Sequence, residues 1–270
     1  VYVTYATEPG DPAIDNEDFV AASPELAVVL DGVTPMDRTD TGCRHGVAWY
    51  ARTLGTQVAR LAAAGTGTSG ADARPLADCL AEGIVQTRDA HADTCDPAHP
   101  DSPAATVAAV RIRDQQLEYL VLADSAVVID LGSDVRTVTD RRASQVGRRL
   151  RSVLGARPSA VEVRSHRNRE AGYYVAAERP EVAYEAFTGV VEVAPIRRVM
   201  VASDGATRLI DTFRVFDWRS ALDALQGGGP EAWIARTREV EREHAEQSEG
   251  STGAKVHDDA TVVFLAASSV

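Results

Sequence analysis

Between Leu26 and Leu30 five apolar residues follow one another without a polar break and stop at Asp31-Gly32. This is the pattern of a strand buried on both faces and ended by a turn. From Gly42 to Ala64 the spacing changes to a helical stripe of Val47, Tyr50, Ala51, Leu54, Val58, Leu61 and Ala62. A second stripe, Leu76, Leu80, Ile84 and Val85, predicts a helix over Ala73–His91 that packs on the first. Strand signals then crowd together at Ala105–Ile112, Leu117–Ala123, Val127–Leu131 and Val135–Val138, separated by short polar breaks, so antiparallel hairpins are expected. Residues 141–198 turn Arg-rich and irregular and read as a long surface excursion with one short helix near Glu181–Phe187. Arg198–Ala202 is another strand, running into Ser203-Asp204-Gly205. Helices are expected near Ala206–Ile210, Trp218–Leu225 and Glu231–Glu246, and a Val/Phe-rich strand over Asp259–Ala267 closes the chain. This mixed order predicts an α+β fold of packed sheets with flanking helices, not a regular βαβ repeat. With no internal repeat and no long linker, 1–270 reads as a single domain.

Composition narrows the function. The chain has 270 residues, 44% of them apolar, enough for a sizeable core. Its 28 Lys+Arg against 40 Asp+Glu leave a net charge of −12, which argues against gripping nucleic acid or an anionic membrane by bulk charge. No stretch approaches the roughly 20 apolar residues of a membrane span. Val1–Pro12 lacks the basic-then-apolar pattern of a signal, so a cytoplasmic protein is expected. Cys43, Cys79 and Cys95 show no C-x-x-C spacing and read as three free thiols, neither a disulfide scaffold nor a zinc ribbon. The six histidines, His45, His91, His99, His166, His244 and His257, are scattered without ligand spacing and read as surface or packing residues, His45 being the one of interest.

Gly65-Thr66-Gly67-Thr68-Ser69-Gly70 satisfies G-x-G-x-x-G literally but follows an Ala-rich helix, so a pyrophosphate would have no strand-to-helix turn to sit on. Lys255 is the only lysine and follows Ala254, which excludes a P-loop; G-x-S-x-G and H-E-x-x-H are absent. What recurs is an aspartate at the edge of an apolar strand: Asp31 after Leu26–Leu30, Asp124 after Leu120–Ala123, Asp204 after Val199–Ser203, and Asp258 before Ala260–Leu265. Singly these are turn residues. Gathered on one rim of a sheet assembly they would repel one another, and such a cluster either raises its pKa values or binds cations. An all-oxygen donor set without His or Cys favours Mg²⁺ or Mn²⁺.

Six short segments, in order, resemble the metal-dependent protein phosphatases of the protein phosphatase 2C type. Asn16-Glu17-Asp18 is similar to the family's N-E-D element, and Val29-Leu30-Asp31-Gly32 to its F-D-G turn. Ala104-Ala105-Thr106 resembles the G-[ST]-T-A strand start, and Leu122-Ala123-Asp124-Ser125 the G-D-S hairpin. Ala202-Ser203-Asp204-Gly205 is close to the S-D-G element, and Asp258-Asp259-Ala260-Thr261-Val262 to the D-[ND]-x-[ST]-V terminal strand. The resemblance spans residues 16 to 264. It implies an α-β-β-α sandwich of two antiparallel sheets flanked by helices, with metal ions at one end between the sheets. Two Mn²⁺ or Mg²⁺ ions are implied, bridged by Asp31, with the Gly32 carbonyl on one and Asp204 and Asp258 on the other. Asp124, with Asp204, matches a third, weaker site. Glu17 and Asp18 are implied catalytic residues, Glu17 acting near the second ion through water and Asp18 hydrogen-bonding the waters around the ions. The implied reaction is hydrolysis of phosphoserine or phosphothreonine in a phosphorylated protein by an activated water.

The sequence departs from that pattern in places. The family's phosphate-binding arginine falls on Ala13, for which Arg38, Arg44, Arg167 or Arg169 are candidate replacements. The histidine after D-G in many eukaryotic members is Val33 here, with His45 as the candidate stand-in, and two expected glycines are Ala105 and Ala123. Segment 141–198 stands where the family has a variable flap that bears on substrate choice. These departures leave two alternatives: a catalytically weak member kept as a regulatory or binding module, and a hydrolase of small phosphoesters.

Overall fold

The computed structural model describes residues 1–64, 74–247 and 256–267, so the Gly65–Gly70 loop and Lys255 lie outside the described residues. One antiparallel sheet has the strand order β1 (Tyr2–Glu8), β10 (Ala260–Ala266), β9 (Arg198–Ala202), β6 (Ala126–Asp130), β7 (Val135–Thr139). The other has the order β2 (Phe19–Ser23), β3 (Leu26–Gly32), β4 (Ala105–Arg113), β5 (Gln116–Leu122), β8 (Phe187–Glu192). Helices α1 (Gly46–Ala63) and α2 (Leu76–His91) cover the second sheet; α5 (Asp204–Asp211) and α6 (Trp218–Gln247) cover the first. The result is the expected α-β-β-α sandwich.

Strand β3 shows why its apolar run is unbroken. Ala27 and Val29 pack between the sheets with Val110, Val127, Val201 and Val263, while Leu26, Val28 and Leu30 pack with Tyr50, Leu54, Val58 and Leu80 of the helices. Each such Val or Leu contributes about 1.5–3 kcal/mol on full burial. The period of two then carries Asp31, at the strand's end, to the side of Ala27 and Val29, between the sheets.

Two readings of the sequence need correction. Strands β1 and β2 escape the pattern: their residues are mostly half-buried or exposed, with no clean alternation, and only pairing with β10 and β3 reveals them. Segment 141–198 is more regular than its composition suggests, holding α3 (Arg142–Leu154), α4 (Ala160–Arg164), a 3-10 helix at Pro180–Glu185, and β8, which pairs with β5. In α3 only Val146 is buried, so the helix carries almost no apolar stripe to read. The expected break between the two late helices is present inside α6, at Gly229, whose φ of 82° lies in the left-handed region, followed by Pro230. Among the described residues no helix is long and apolar enough to cross a membrane.

Candidate active site

In an antiparallel sheet the end of one strand lies beside the start of the next. The ends of β3, β5 and β9 therefore share a rim with the starts of β4, β6 and β10. Asp31 sits opposite Thr106 in the register, and Thr106 Oγ1 lies 2.6 Å from Ser125 Oγ, a hydrogen bond that ties the two sheets together at this rim. Asp124, Asp204 and Asp258 occupy the ends of strands in the facing sheet and line one cleft of about 440 Å³.

The electrostatics follow from this crowding. Asp31 is pushed well above the usual carboxylate range, first by desolvation and then by the charges of Asp204, Asp18, Asp124 and Asp258. Asp204 is raised to about 7 by desolvation and by Asp124 and Asp258, against a hydrogen bond with Asp31 that lowers it. Asp18 is raised to about 8, mainly by desolvation, with Asp259 and Asp204 adding to it. Asp124 keeps contact with solvent yet is also pushed up, by the surrounding protein first and then by Asp140, Asp258 and Asp211.

Asp18 is held on one side only. Ser203 Oγ donates to its Oδ2 at 2.9 Å, and Ser203 Oγ in turn accepts the Thr261 N–H at 2.9 Å. Oδ1 of Asp18 is buried without a hydrogen-bond partner among the described residues, an acceptor whose desolvation no donor there offsets. Glu17, buried, is gripped by Arg38, whose Nη1 and Nη2 lie 2.7 and 3.2 Å from its two oxygens, and by Thr34 Oγ1 at 3.1 Å. Its carbonyl accepts the Gly32 N–H at 3.1 Å. Position 32 tolerates no side chain: a Cβ would fall 2.3 Å from Val47 Cγ1 and 2.7 Å from Glu17 O.

Asp259 has a task that its place in a motif does not announce. Its two carboxylate oxygens accept the Gly10 and Glu17 N–H groups, each at 2.7 Å, and so fasten the Glu17-Asp18 segment to the start of β10. Asn16 does similar work, its Oδ1 accepting the Asp18 N–H and its Nδ2 donating to Thr7 Oγ1.

Residues 14–227 match the family model described as Protein phosphatase 2C. The chain belongs to that family. It is a metal-dependent phosphatase, a hydrolase. Its fold is similar to that of the Mycobacterium tuberculosis serine/threonine phosphatase PstP/Ppp, with 18% identity and a TM-score of 0.58 over 98% of this chain and 99% of that one. The catalytic domain of PstP in complex with two manganese ions gives 18% identity and 0.57 over 97% and 96%. The PPM Ser-Thr phosphatase MsPP from Mycobacterium smegmatis, in complex with cacodylate, gives 19% and 0.54 over 98% of each chain. At such identities the likeness is one of fold. No curated protein matches by sequence.

Within this protein phosphatase 2C fold the arginines beside the carboxylates are not those the sequence suggested. The cleft is lined by Arg141, Arg148, Arg208 and Arg214, from α3, α5 and their flanks. Arg38 is spent on Glu17, Arg44 is exposed just before α1, and Arg167 and Arg169 line a separate groove with Arg164 and Asp101. Nothing periodic marks an arginine on an exposed helix face, so no pattern could have selected these four. His45 does not line the carboxylate cleft: it stacks on Trp49 and lies 3.4 Å from Cys95 Sγ. The histidines and cysteines are therefore not all scattered. Cys43, His45, His91 and Cys95 come together, and C-x-H and H-x-x-x-C were the spacings that could have signalled it. Ala123, where the resemblance expects glycine, has a φ of 67°, a left-handed conformation that costs an L-residue about 1–2 kcal/mol.

Proposed function

We propose that this chain hydrolyses phosphoserine and phosphothreonine esters in proteins, with divalent cations, manganese or magnesium, held by Asp31, the Gly32 carbonyl, Asp204 and Asp258, and a further ion near Asp124. The observation that carries the reading is the carboxylate cluster itself. Four aspartates from both sheets meet at one rim, Asp31, Asp124 and Asp204 among them with raised pKa values, and the buried Asp18 Oδ1 has no partner among the described residues. An all-oxygen set of this kind fits a hard cation.

Bound divalent cations supply Lewis acidity, activating water and neutralising phosphoryl charge. The chain's own groups do the rest. Asp18 and Asp204, poised near neutral pH, release their protons when positive charge is supplied. Ser203 and Asn16 fix Asp18 so that Oδ1 stays available to orient water or a donor at the site. Arg148 offers charge-assisted donors to the phosphate, the task left open by Ala13, beside Arg214 and the ion-paired Arg141 and Arg208, which hold Asp211 and Glu241. Glu17, neutralised by Arg38, shapes the site from beside Gly32.

The same proposal takes 1–270 as one phosphatase domain, in which the flap is the helical stretch ahead of β8. A cytoplasmic location goes with it, supported by three cysteines none of which is in a disulfide, as a reducing compartment keeps them.

The test is phosphate release from a phosphothreonine peptide and from p-nitrophenyl phosphate, with Mn²⁺, Mg²⁺ or chelator. Turnover is expected with metal and not with chelator. Asp31→Asn and Asp204→Asn are expected to lower it by more than the 10–100-fold typical of groups behind the ligands. Metal-independent turnover, or full activity in both variants, would refute the reading. A strong preference for the small ester would redirect the substrate class.

A further inference from the structure

On the side of the helix pair, away from the use made of the aspartates, four soft and borderline donors converge. Cys43 and His45 stand immediately before α1, His91 is the last residue of α2, and Cys95 follows it by one turn. One ligand atom from each lies within 4.8 Å of all the others. Cys95 Sγ is 3.3 Å from Cys43 Sγ and 3.4 Å from His45 Nδ1; Cys43 Sγ is 3.9 Å from His45 Nδ1 and 3.6 Å from His91 Nδ1.

These separations are the edges of a coordination tetrahedron. With Zn–S near 2.3 Å and Zn–N near 2.0–2.1 Å, tetrahedral angles place sulfur about 3.8 Å from sulfur and about 3.6 Å from nitrogen. The sulfur–sulfur distance is well beyond the roughly 2.05 Å of a disulfide, and a disulfide would have no use for two imidazoles turned onto its sulfurs. An S₂N₂ donor set is the choice of zinc among common divalent ions, whereas the carboxylate rim suits hard ones.

The surroundings hold the donors in place. Trp49 stacks on the His45 ring at 4.3 Å and tilts against His91 at 5.2 Å. His91 is buried. The Asp96 N–H donates to the Gly42 carbonyl at 2.8 Å, joining the two ligand-bearing segments through the backbone, and Thr41 Oγ1 donates to the Cys43 carbonyl at 2.9 Å.

We propose that Cys43, His45, His91 and Cys95 form a structural zinc site that pins the segment between β3 and α1 to the C-terminal end of α2. Four protein donors close the tetrahedron and leave no open position, the mark of a structural and not a catalytic ion. The pinned segment is the one that carries Thr34 and Arg38 onto Glu17. The zinc therefore braces the far end of the loop that shapes the phosphatase site.

The test is metal analysis of the reduced, full-length chain after exhaustive dialysis, followed by replacement of the bound ion with Co²⁺. About one zinc per chain is expected, and the cobalt form should show the intense visible bands of a tetrahedral site with a thiolate-to-cobalt charge-transfer band. Oxygen ligands at the carboxylate rim cannot produce that band. Cys43→Ser and Cys95→Ser should lose it, while Cys79→Ala and Asp31→Asn keep it. If the cysteine variants fail to fold, the wild-type spectrum and its displacement by zinc decide alone. A reduced wild-type protein that takes up cobalt without the charge-transfer band, or one isolated with a Cys43–Cys95 disulfide and no zinc, would overturn the proposal.

Discussion

The Arg38 guanidinium meets the Glu17 carboxylate fork to fork, at 2.7 and 3.2 Å. Arg38 is 48% exposed at its side chain and Glu17 only 7%, so the pair is a surface arm closing over a buried acid. Truncating the arm leaves the acid with Thr34 alone. Arg38→Ala is expected to cost about 1–2 kcal/mol, the penalty of a less satisfied buried carboxylate discounted for Arg38's own exposure. Arg38→Lys should recover only part, because an ammonium cannot make the two-pronged contact. Urea midpoints at unchanged m-value measure both; an Arg38→Ala midpoint equal to wild type would show the pair contributes nothing.

The aspartate cluster sets a pH dependence that metal should reverse. Asp18 and Asp204 titrate near 8 and 7 in the folded, metal-free chain, against an ordinary 3.8. Between these values the two groups bind more protons in the folded state than in the unfolded one, so their contribution to stability is greatest below about pH 4 and falls as pH rises to about 8. Cations bind the deprotonated carboxylates, so the gain in melting temperature from Mn²⁺ over chelator should widen across the same range. Thermal melts in chelator and in Mn²⁺ at several pH values decide it. A metal-induced gain that shrinks from about pH 5 to about pH 8 would contradict the sign.

Asp259 fastens two backbone N–H groups with its two oxygens, and an amide can serve only one of them. Asp259→Asn is expected to lose about 1–3 kcal/mol and to weaken apparent Mn²⁺ affinity, since Glu17 and Asp18 lose their anchor to β10. Gly205→Ala probes the same junction from the other side: its Cβ would lie 2.0 Å from Asp259 O, and the chain has nowhere to move it. Soluble yield, circular dichroism and metal titration report on both. A Gly205→Ala protein with wild-type stability would mean that the approach of α5 to Asp259 is looser than described.

Arg148 on α3 lines the carboxylate cleft from the segment with the least regular sequence. Loss of one charge-assisted contact to phosphate, about 1.4 kcal/mol, corresponds to a tenfold rise in KM for a phosphothreonine peptide. The chemical step should change little in Arg148→Ala, because the lost contact serves ground state and transition state alike. Steady-state kinetics separate the two parameters; a fall in kcat at constant KM would place Arg148 in the chemistry instead of in binding.

Much of this protein is legible in local pattern. Leu26–Leu30 reads as a doubly buried strand because each residue meets one of two cores, and the α1 stripe from Val47 to Ala62 reads as a helix because one face does. The aspartates after and before such strands stand out for the same reason, and their family resemblance follows from short motifs in order. Such signals reside within a few consecutive residues, where period and turn chemistry are written directly.

What tertiary structure alone decided are the meetings between distant segments. Arg38 reaching Glu17, Asp259 clasping Gly10, Arg148 arriving at Asp204's cleft, and Cys95 closing on Cys43 across 52 residues depend on how sheets and helices stack. Polar side chains on partly exposed faces make these contacts, and burial imposes no period on them. Their partners are fixed by the packing of the apolar faces beneath, which the sequence determines, while the contacts themselves become readable only once that packing has brought the chain together.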